Sequence, residues 1–298
     1  MAIGREIVTK IRSVQNTQKI TKAMQMVSTS KMRKTQERMA KARPYAEKIR
    51  SVTRSLASAH VDEMPALLQT RKEIKRACII LITTDKGLCG GLNSNVLKLF
   101  FAKVQEYNQK NIPVEVVCLG SKGLVACQRV GLDIVSSTVG LGDIPKLEVV
   151  LGSLKVVFDK YAEKEIDVVH LIYSNFVNTM KQIPVEEYFL PMGKEILQAE
   201  SLVLDNTRPH SKYQLEYIFE PSPGQVLEFL VRRYLESVVY QAICDNMASE
   251  QAARMVAMKS ATDNANNAIK FLKLKYNQSR QAAITTELSE IVAGAAAV

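Results

Sequence analysis

No stretch of the chain reaches the roughly 18 consecutive apolar residues that a membrane-spanning helix needs. The opening residues, MAIGREIVTK, hold neither the apolar core of a secretory signal nor an amphipathic presequence. We therefore expect a cytoplasmic chain, bacterial rather than organellar, that meets a membrane only through partners. The five cysteines (Cys78, Cys89, Cys118, Cys127, Cys244) form no CxxC pair and no Cys/His spacing. The expectation is no disulfide and no metal, with the thiols acting as small hydrophobes. Histidine is scarce, only His60, His170 and His210. GxSxG and HExxH motifs are missing as well, so nothing assembles a nucleophile, a base and an oxyanion site. No catalytic residue is assigned. His170, inside the apolar run DVVHLIY, reads as a satisfied core residue rather than a base, and His60 and His210 fall in loops.

Glycine and proline are missing where their absence matters most. Between Glu6 and Arg43 there is neither, and only Pro44 interrupts before about Ala59. A helix of that length spans on the order of 80 Å. Apolar or small residues recur along it as Ile7, Ile11, Val14, Thr21, Ser28, Met32, Thr35, Met39, Ala42, Ala46, Ile49 and Leu56. These steps of three, four or seven trace a heptad seam, with Gln18 and Gln25 on the same line. Such a narrow, partly polar seam suits a two-helix contact better than a globular core. Between Gly224 and Gly294 both residue types are again absent, a helix of roughly 100 Å. Its seam runs Ala248, Ala252, Met255, Met258, Thr262, Ala265, Ile269, Leu272 and Tyr276, with an average step of about 3.5, the coiled-coil period. Two such helices most simply pair with each other, antiparallel if both leave the middle of the chain in one direction. Pairing between two copies is the competing arrangement.

The middle alternates apolar β-branched runs with helical segments. Ala77–Thr83, Pro113–Leu119, Leu132–Ser136 and Asp167–Tyr173 read as strands, and Asn93–Gln109, Lys122–Arg129 and Leu147–Ala162 as helices. This spacing indicates a parallel sheet covered on both faces. Asn178–Pro191 adds an edge strand, where Pro184 is tolerated. The domain plan is a helix over 1–59, an α/β domain over 74–190, a proline-rich connector over 191–223 and a helix over 224–298.

The loop TTDKGLCGGLN, Thr83 to Asn93, lies at the carboxyl end of the first strand, where open α/β sheets bind ligands. Its glycines (Gly87, Gly90, Gly91) match neither GxGxxG nor GxxxxGK[ST], and no acid follows the second strand. It reads as a tight strand-to-helix turn needing positive φ, with no cofactor. The formal charge of +10 is confined to one end. Residues 1–54 hold 14 Lys or Arg and three acids, Glu6, Glu37 and Glu47, while the remainder of the chain nets −1. A basic arm calls for an acidic partner, nucleic acid or protein. The basic side chains wind around the helix, and Tyr45 is the one aromatic residue there to stack on a base. A basic coiled-coil nucleic-acid-binding protein is the alternative reading, and the protein partner is preferred.

Four long segments resemble the gamma subunit of F-type ATP synthases. They are IRSVQNTQKITKAMQMVSTSKMRK (Ile11–Lys34), TDKGLCGGLN, SEQAARMVAMKSATDNANN (Ser249–Asn267) and ITTELSEIVAGAAAV (Ile284–Val298). The resemblance covers essentially the whole chain, with Lys86 where arginine is also frequent and low similarity across Pro191–Pro223. The cysteine-bearing loop of redox-regulated chloroplast members is absent. The implied fold class is α/β, a long antiparallel coiled coil of the N- and C-terminal helices plus a central Rossmann-like α/β domain. The implied role is a non-catalytic rotor shaft, turned by proton flow through the c-ring, that drives the alpha and beta subunits through their nucleotide-binding states. The implied partners are alpha, beta, epsilon and the c-ring, without nucleic acid, and the implied place is the cytoplasmic face of the bacterial inner membrane. Met24, with Met26, matches the family's contact with an acidic lever of the beta subunits. Arg280, Gln281, Thr285, Glu287 and Glu290 match the polar catch on the ring. Tyr217, Phe219 and Glu220 align with the foot stretch that touches the c-ring, Phe219 lacking the hydroxyl of the tyrosine it replaces.

Overall fold

The computed structural model describes residues 2–57, 65–71, 73–145, 147–192 and 222–296. Helix α1 covers Ala2–Ala57, and a single 3-10 turn covers Ala66–Leu68. Then follow β1 (Ala77–Ile82), α2 (Leu92–Gln109), β2 (Val114–Leu119), α3 (Ser121–Val130), β3 (Asp133–Thr138), α4 (Leu147–Ala162), β4 (Val168–Phe176), β5 (Gln182–Leu190) and α5 (Pro223–Ala296). The chain forms two compact units, one of Met1–Ser30 with Arg254–Val298 and the other of Lys31–Ala253. Both long helices contribute to both units.

In the α/β unit the strand order is β3-β2-β1-β4-β5, the first four parallel and β5 antiparallel to β4. Strand β1 is buried throughout because it is central and covered on both faces. Its alternate residues divide between two cores. Cys78, Ile80 and Ile82 join Leu154, Phe158 and Tyr161 of α4 and Leu227, Val231, Leu235 and Val239 of α5. Ala77, Ile79 and Leu81 join Val96, Phe100 and Val104 of α2 and Cys127 of α3. The first thirty or so residues of α5 thus serve as a sheet-covering helix with a three- and four-residue apolar stripe. The sequence plan gave all of 224–298 to the coiled coil, because the absence of glycine and proline cannot distinguish one partner from another.

Helix α1 continues through the exposed Pro44. One further difference from the sequence reading is local. Positive φ in the β1–α2 loop falls on Gly90 and on Leu88, not on Gly87 or Gly91. The position that demands glycine most strongly lies elsewhere: Gly120, between β2 and α3, has φ 111° and a built Cβ would stand 2.2 Å from the Thr83 carbonyl oxygen. All five cysteines are free and buried, and burial pushes the Cys78 thiol up to about 12.

In the helical unit the two seams face each other. Gln18 bonds Asn266 and Thr21 meets Thr262, so the paired residue numbers rise on one helix as they fall on the other. The pairing is antiparallel and within one chain. Ile7, Thr21 and Ser28 of α1 and Met258, Thr262, Ala265 and Ile269 of α5 are buried, with Ile11, Val14, Gln18, Met255, Leu272 and Tyr276 half-buried between them.

Candidate functional site

The carboxyl end of the sheet is the place to look for a ligand. Strand order reverses between β1 and β4, which makes their ends the crevice that doubly wound sheets use. Here side chains of α5 bond the backbone at the end of β4. Asn246 and Ser249 of α5 are buried against β4: the Ser174 N–H donates to Asn246 Oδ1 at 3.4 Å, and Ser249 Oγ donates to the Ser174 carbonyl at 3.1 Å. The glycine-bearing loop is equally self-contained. Asn93 accepts from the Thr84 N–H at 3.2 Å and donates to Thr84 Oγ1 at 2.7 Å, while Thr84 Oγ1 donates to the Lys86 carbonyl. The start of α3, whose free N–H groups would suit a phosphate, already holds a carboxylate. Asp85 accepts from the Ser121 N–H at 3.0 Å and from the Leu141 N–H at 3.1 Å.

His170 stands with its Nε2 2.6 Å from Tyr107 Oη, and Tyr188 meets its ring edge-on. Glu186 Oε1 lies 3.0 Å from Nδ1 but outside hydrogen-bond geometry, an electrostatic contact only. Burial, then the Lys103 ammonium, push the imidazole down to about 4 against the opposing pull of Glu186. It is packed into the core, as its sequence reading has it, but is not fully satisfied, since Nδ1 has no hydrogen-bond partner. His60 and His210 lie outside the described residues. Among the described residues no group of three or more His, Cys, Asp or Glu side chains is arranged to hold a metal.

The contact residues expected from sequence fall into separate stations. Met24 is half-buried and Met26 is 62% exposed. The antiparallel register sets Met24 across from the neighbourhood of Lys259, about 20 residues and therefore about 30 Å from Arg280 along the helix. Arg280, Gln281, Thr285, Glu287 and Glu290 are all exposed. At about 100° per residue, Arg280 and Glu287 share one line and Gln281 and Thr285 another, with Glu290 on a third, so the set spans more than half of the circumference. Ile284, Leu288, Ile291 and Val292 are also exposed, at helical spacing. Of the basic residues, Lys10, Arg12, Lys19 and Lys22 are exposed in the helical unit. In the α/β unit Lys31 pairs with Asp143 at 2.7 Å and Arg38 bonds the Asp143 carbonyl. Tyr217, Phe219 and Glu220 lie outside the described residues.

Sequence reading did not single out Asp85, Asn246, Ser249 or Asn266; it placed Gln18, Thr21 and Thr262 on the seams without their cross-helix pairing. A polar pair three apart on an otherwise apolar helix face, as at Asn246 and Ser249, is the signal that was available.

The ATP synthase family model matches residues 4–298 of the chain. The ATP synthase gamma chain of Neisseria gonorrhoeae is 65% identical over 298 residues, with each chain covered in full. The chain belongs to the ATP synthase gamma-chain family. The gamma chain of Chromobacterium violaceum is 62% identical over the same length. Among solved structures, the gamma-chain fold is shared with the Tetrahymena thermophila mitochondrial ATP synthase central stalk and c-ring structure. That match has 27% identity and a TM-score of 0.58 and covers 81% of this chain and 99% of that one. The Euglena gracilis mitochondrial synthase in rotational state 3 gives a TM-score of 0.65 at 18% identity, covering 99% and 94%, a likeness of fold. As a gamma-chain family member the protein is the central rotor shaft of an ATP synthase.

Proposed function

We propose that the chain performs no chemistry and transmits torque between the c-ring and the nucleotide sites of the alpha and beta subunits. In this reading residues 1–59 and 254–298 supply the shaft, 74–190 with the sheet-covering start of α5 the foot, and 191–223 the connector. The observation that carries it is that Asp85, Asn93, Asn246 and Ser249, at the strand ends where such a sheet would bind a ligand, bond the chain's own backbone.

Met24 and its exposed neighbour Met26 meet an acidic lever of beta, where thioethers slide over successive surfaces without a fixed partner. Lys19 and Lys22 complement that lever electrostatically. Arg280, Gln281, Thr285, Glu287 and Glu290 form the catch, and their spread around α5 suits a helix enclosed by several subunits. The apolar stripe Ile284, Leu288, Ile291 and Val292 turns in an apolar collar. Tyr217, Phe219 and Glu220 contact the c-ring, and epsilon binds the foot. Proton flow turns ring and foot together, and ATP hydrolysis drives the shaft in reverse. Among the described residues no helix is long and apolar enough to cross a membrane; in this reading the chain sits peripherally at the cytoplasmic face of a bacterial plasma membrane and touches it only through the c-ring.

The test is MgATP hydrolysis by purified alpha and beta subunits with and without this chain. The expected result is strong stimulation in a complex holding one copy per three alpha–beta pairs. Failure to associate, together with salt-dependent retention on DNA, would overturn the rotor reading in favour of nucleic-acid binding.

A further inference from the structure

The seam of the helix pair is polar at its middle, which packing alone does not require. Gln18 Nε2 donates to Asn266 Oδ1 at 2.6 Å, and the Thr21 and Thr262 hydroxyl oxygens are 2.7 Å apart and buried. Each hydroxyl also has an acceptor on its own helix: the Gln18 carbonyl lies 3.0 Å from Thr21 Oγ1, and the Met258 carbonyl 2.8 Å from Thr262 Oγ1. A hydroxyl carries one proton. One threonine therefore donates across the seam while the other donates back to its own helix, and either choice satisfies both.

A seam with a 3.5-residue repeat does not define its own axial register. Sliding one helix by a heptad, about 10 Å, again sets seam residue against seam residue. Isoleucine, valine, methionine and alanine discriminate weakly between such alignments. The polar pairs discriminate strongly. One heptad of slip opposes Gln18 to Lys259 or Lys273, and Thr21 to Met255 or Ile269. Because each hydroxyl retains its own-helix acceptor when the partner is removed, the threonine pair adds little net stability. Its effect is on which alignment forms.

We propose that Gln18, Thr21, Thr262 and Asn266 are a register lock. They are positioning residues that hold α1 and α5 in one alignment and so fix the spacing between the Met24 station and the Arg280 station. The structural part stands on the helix pair alone; its consequence for coupling rests on the rotor reading.

The test uses the full chain with nitroxide labels on Lys10→Cys and Ser260→Cys, both exposed, against native cysteines that are all buried. Their separation is mostly axial, so pulsed dipolar spectroscopy reads slip directly. The unaltered seam and the hydroxyl-preserving T21S/T262S variant are expected to give one narrow distance. The variant Gln18→Leu, Thr21→Val, Thr262→Val, Asn266→Leu is expected to double that width or to add a second distance, with no fall in thermal midpoint. The milder T21V/T262V pair, which changes little volume, is expected to broaden it by about half as much. A distribution in both variants as narrow as in the parent overturns the lock. In the assembled enzyme, protons moved per ATP are expected to fall at least twofold in the fourfold variant while hydrolysis continues. An unchanged ratio with a broadened distance overturns the coupling consequence. Failure of the unaltered chain to assemble with alpha and beta would sink the rotor reading and leave the distance result intact.

Discussion

Replacing Asp245 by asparagine is expected to stabilise the α/β unit, and to do so only where the carboxyl is ionised. Asp245 is buried on α5. Burial, reinforced by Glu187 and opposed by a hydrogen bond with Gln241, pushes its carboxyl up from 3.8 to about 6. Glu187 in turn accepts from Tyr173 Oη at 2.7 Å, so the second acid is held in place. A folded-state value above the unfolded one means that the ionised form opposes folding. The associated stability is complete below the unfolded value and is lost as pH rises through about 6. At about 1.4 kcal/mol per tenfold change in proton affinity, the loss is about 3 kcal/mol. Asparagine keeps the acceptor oxygen, carries no charge, and offers an N–H₂ to the buried Gln241 oxygen that has no partner. The variant should gain less near pH 5 than near pH 8, where about 3 kcal/mol corresponds to roughly 6–12 °C in midpoint for a unit of this size. Thermal unfolding of the full chain, followed across that range for parent and variant, measures the difference. Parallel curves would show that the buried carboxyl carries no such penalty.

Met24→Lys is expected to leave assembly intact and lower the protons moved per ATP. The new ammonium would pair with the acidic lever at roughly 0.2–1 kcal/mol if exposed, and more if desolvated; a normal ratio in membrane vesicles would contradict this. Deleting Glu290–Val298 should leave part of the hydrolytic rate, because the paired seam below is untouched; loss of the isolated complex would assign the tip a structural role. Gly120→Ala should cost about 3 kcal/mol or more, since the new Cβ meets the Thr83 carbonyl at a φ of 111°. A urea midpoint within error of the parent would refute that assignment.

The parts that were legible from sequence are those with a period. A step of 3.5 residues marks the Ala248–Tyr276 seam, and alternating runs mark β1 through β4 to within two or three residues of their observed ends. The edge position of β5 was legible from Pro184, which lies opposite Ser174 where no further strand follows. What periodicity cannot carry is the identity of the partner. An apolar stripe such as Leu227, Val231 and Leu235 has the same spacing whether it lies on a sheet or on a helix. The contact of α5 with the end of β4 was hidden for a different reason. Asn246 and Ser249 lie more than 150 residues from the glycine loop, and only the folded sheet brings α5 to the end of β4. The contact stations came from family resemblance, since exposed residues such as Arg280 and Glu287 leave no periodic trace of what they touch.

The hydrogen bonds from α5 to the end of β4 bear on how this subunit can be informed. A doubly wound domain commonly reads the metabolic state of its surroundings by holding a small molecule between its strand ends. Here two side chains of α5 bond the backbone at the end of β4. The rotor reading has a message about ATP supply reach the unit as force or as a protein laid on its surface. Shortening Asn246 and Ser249 to glycine would remove those bonds, and would give an engineer a place to graft a chemical input onto a mechanical part.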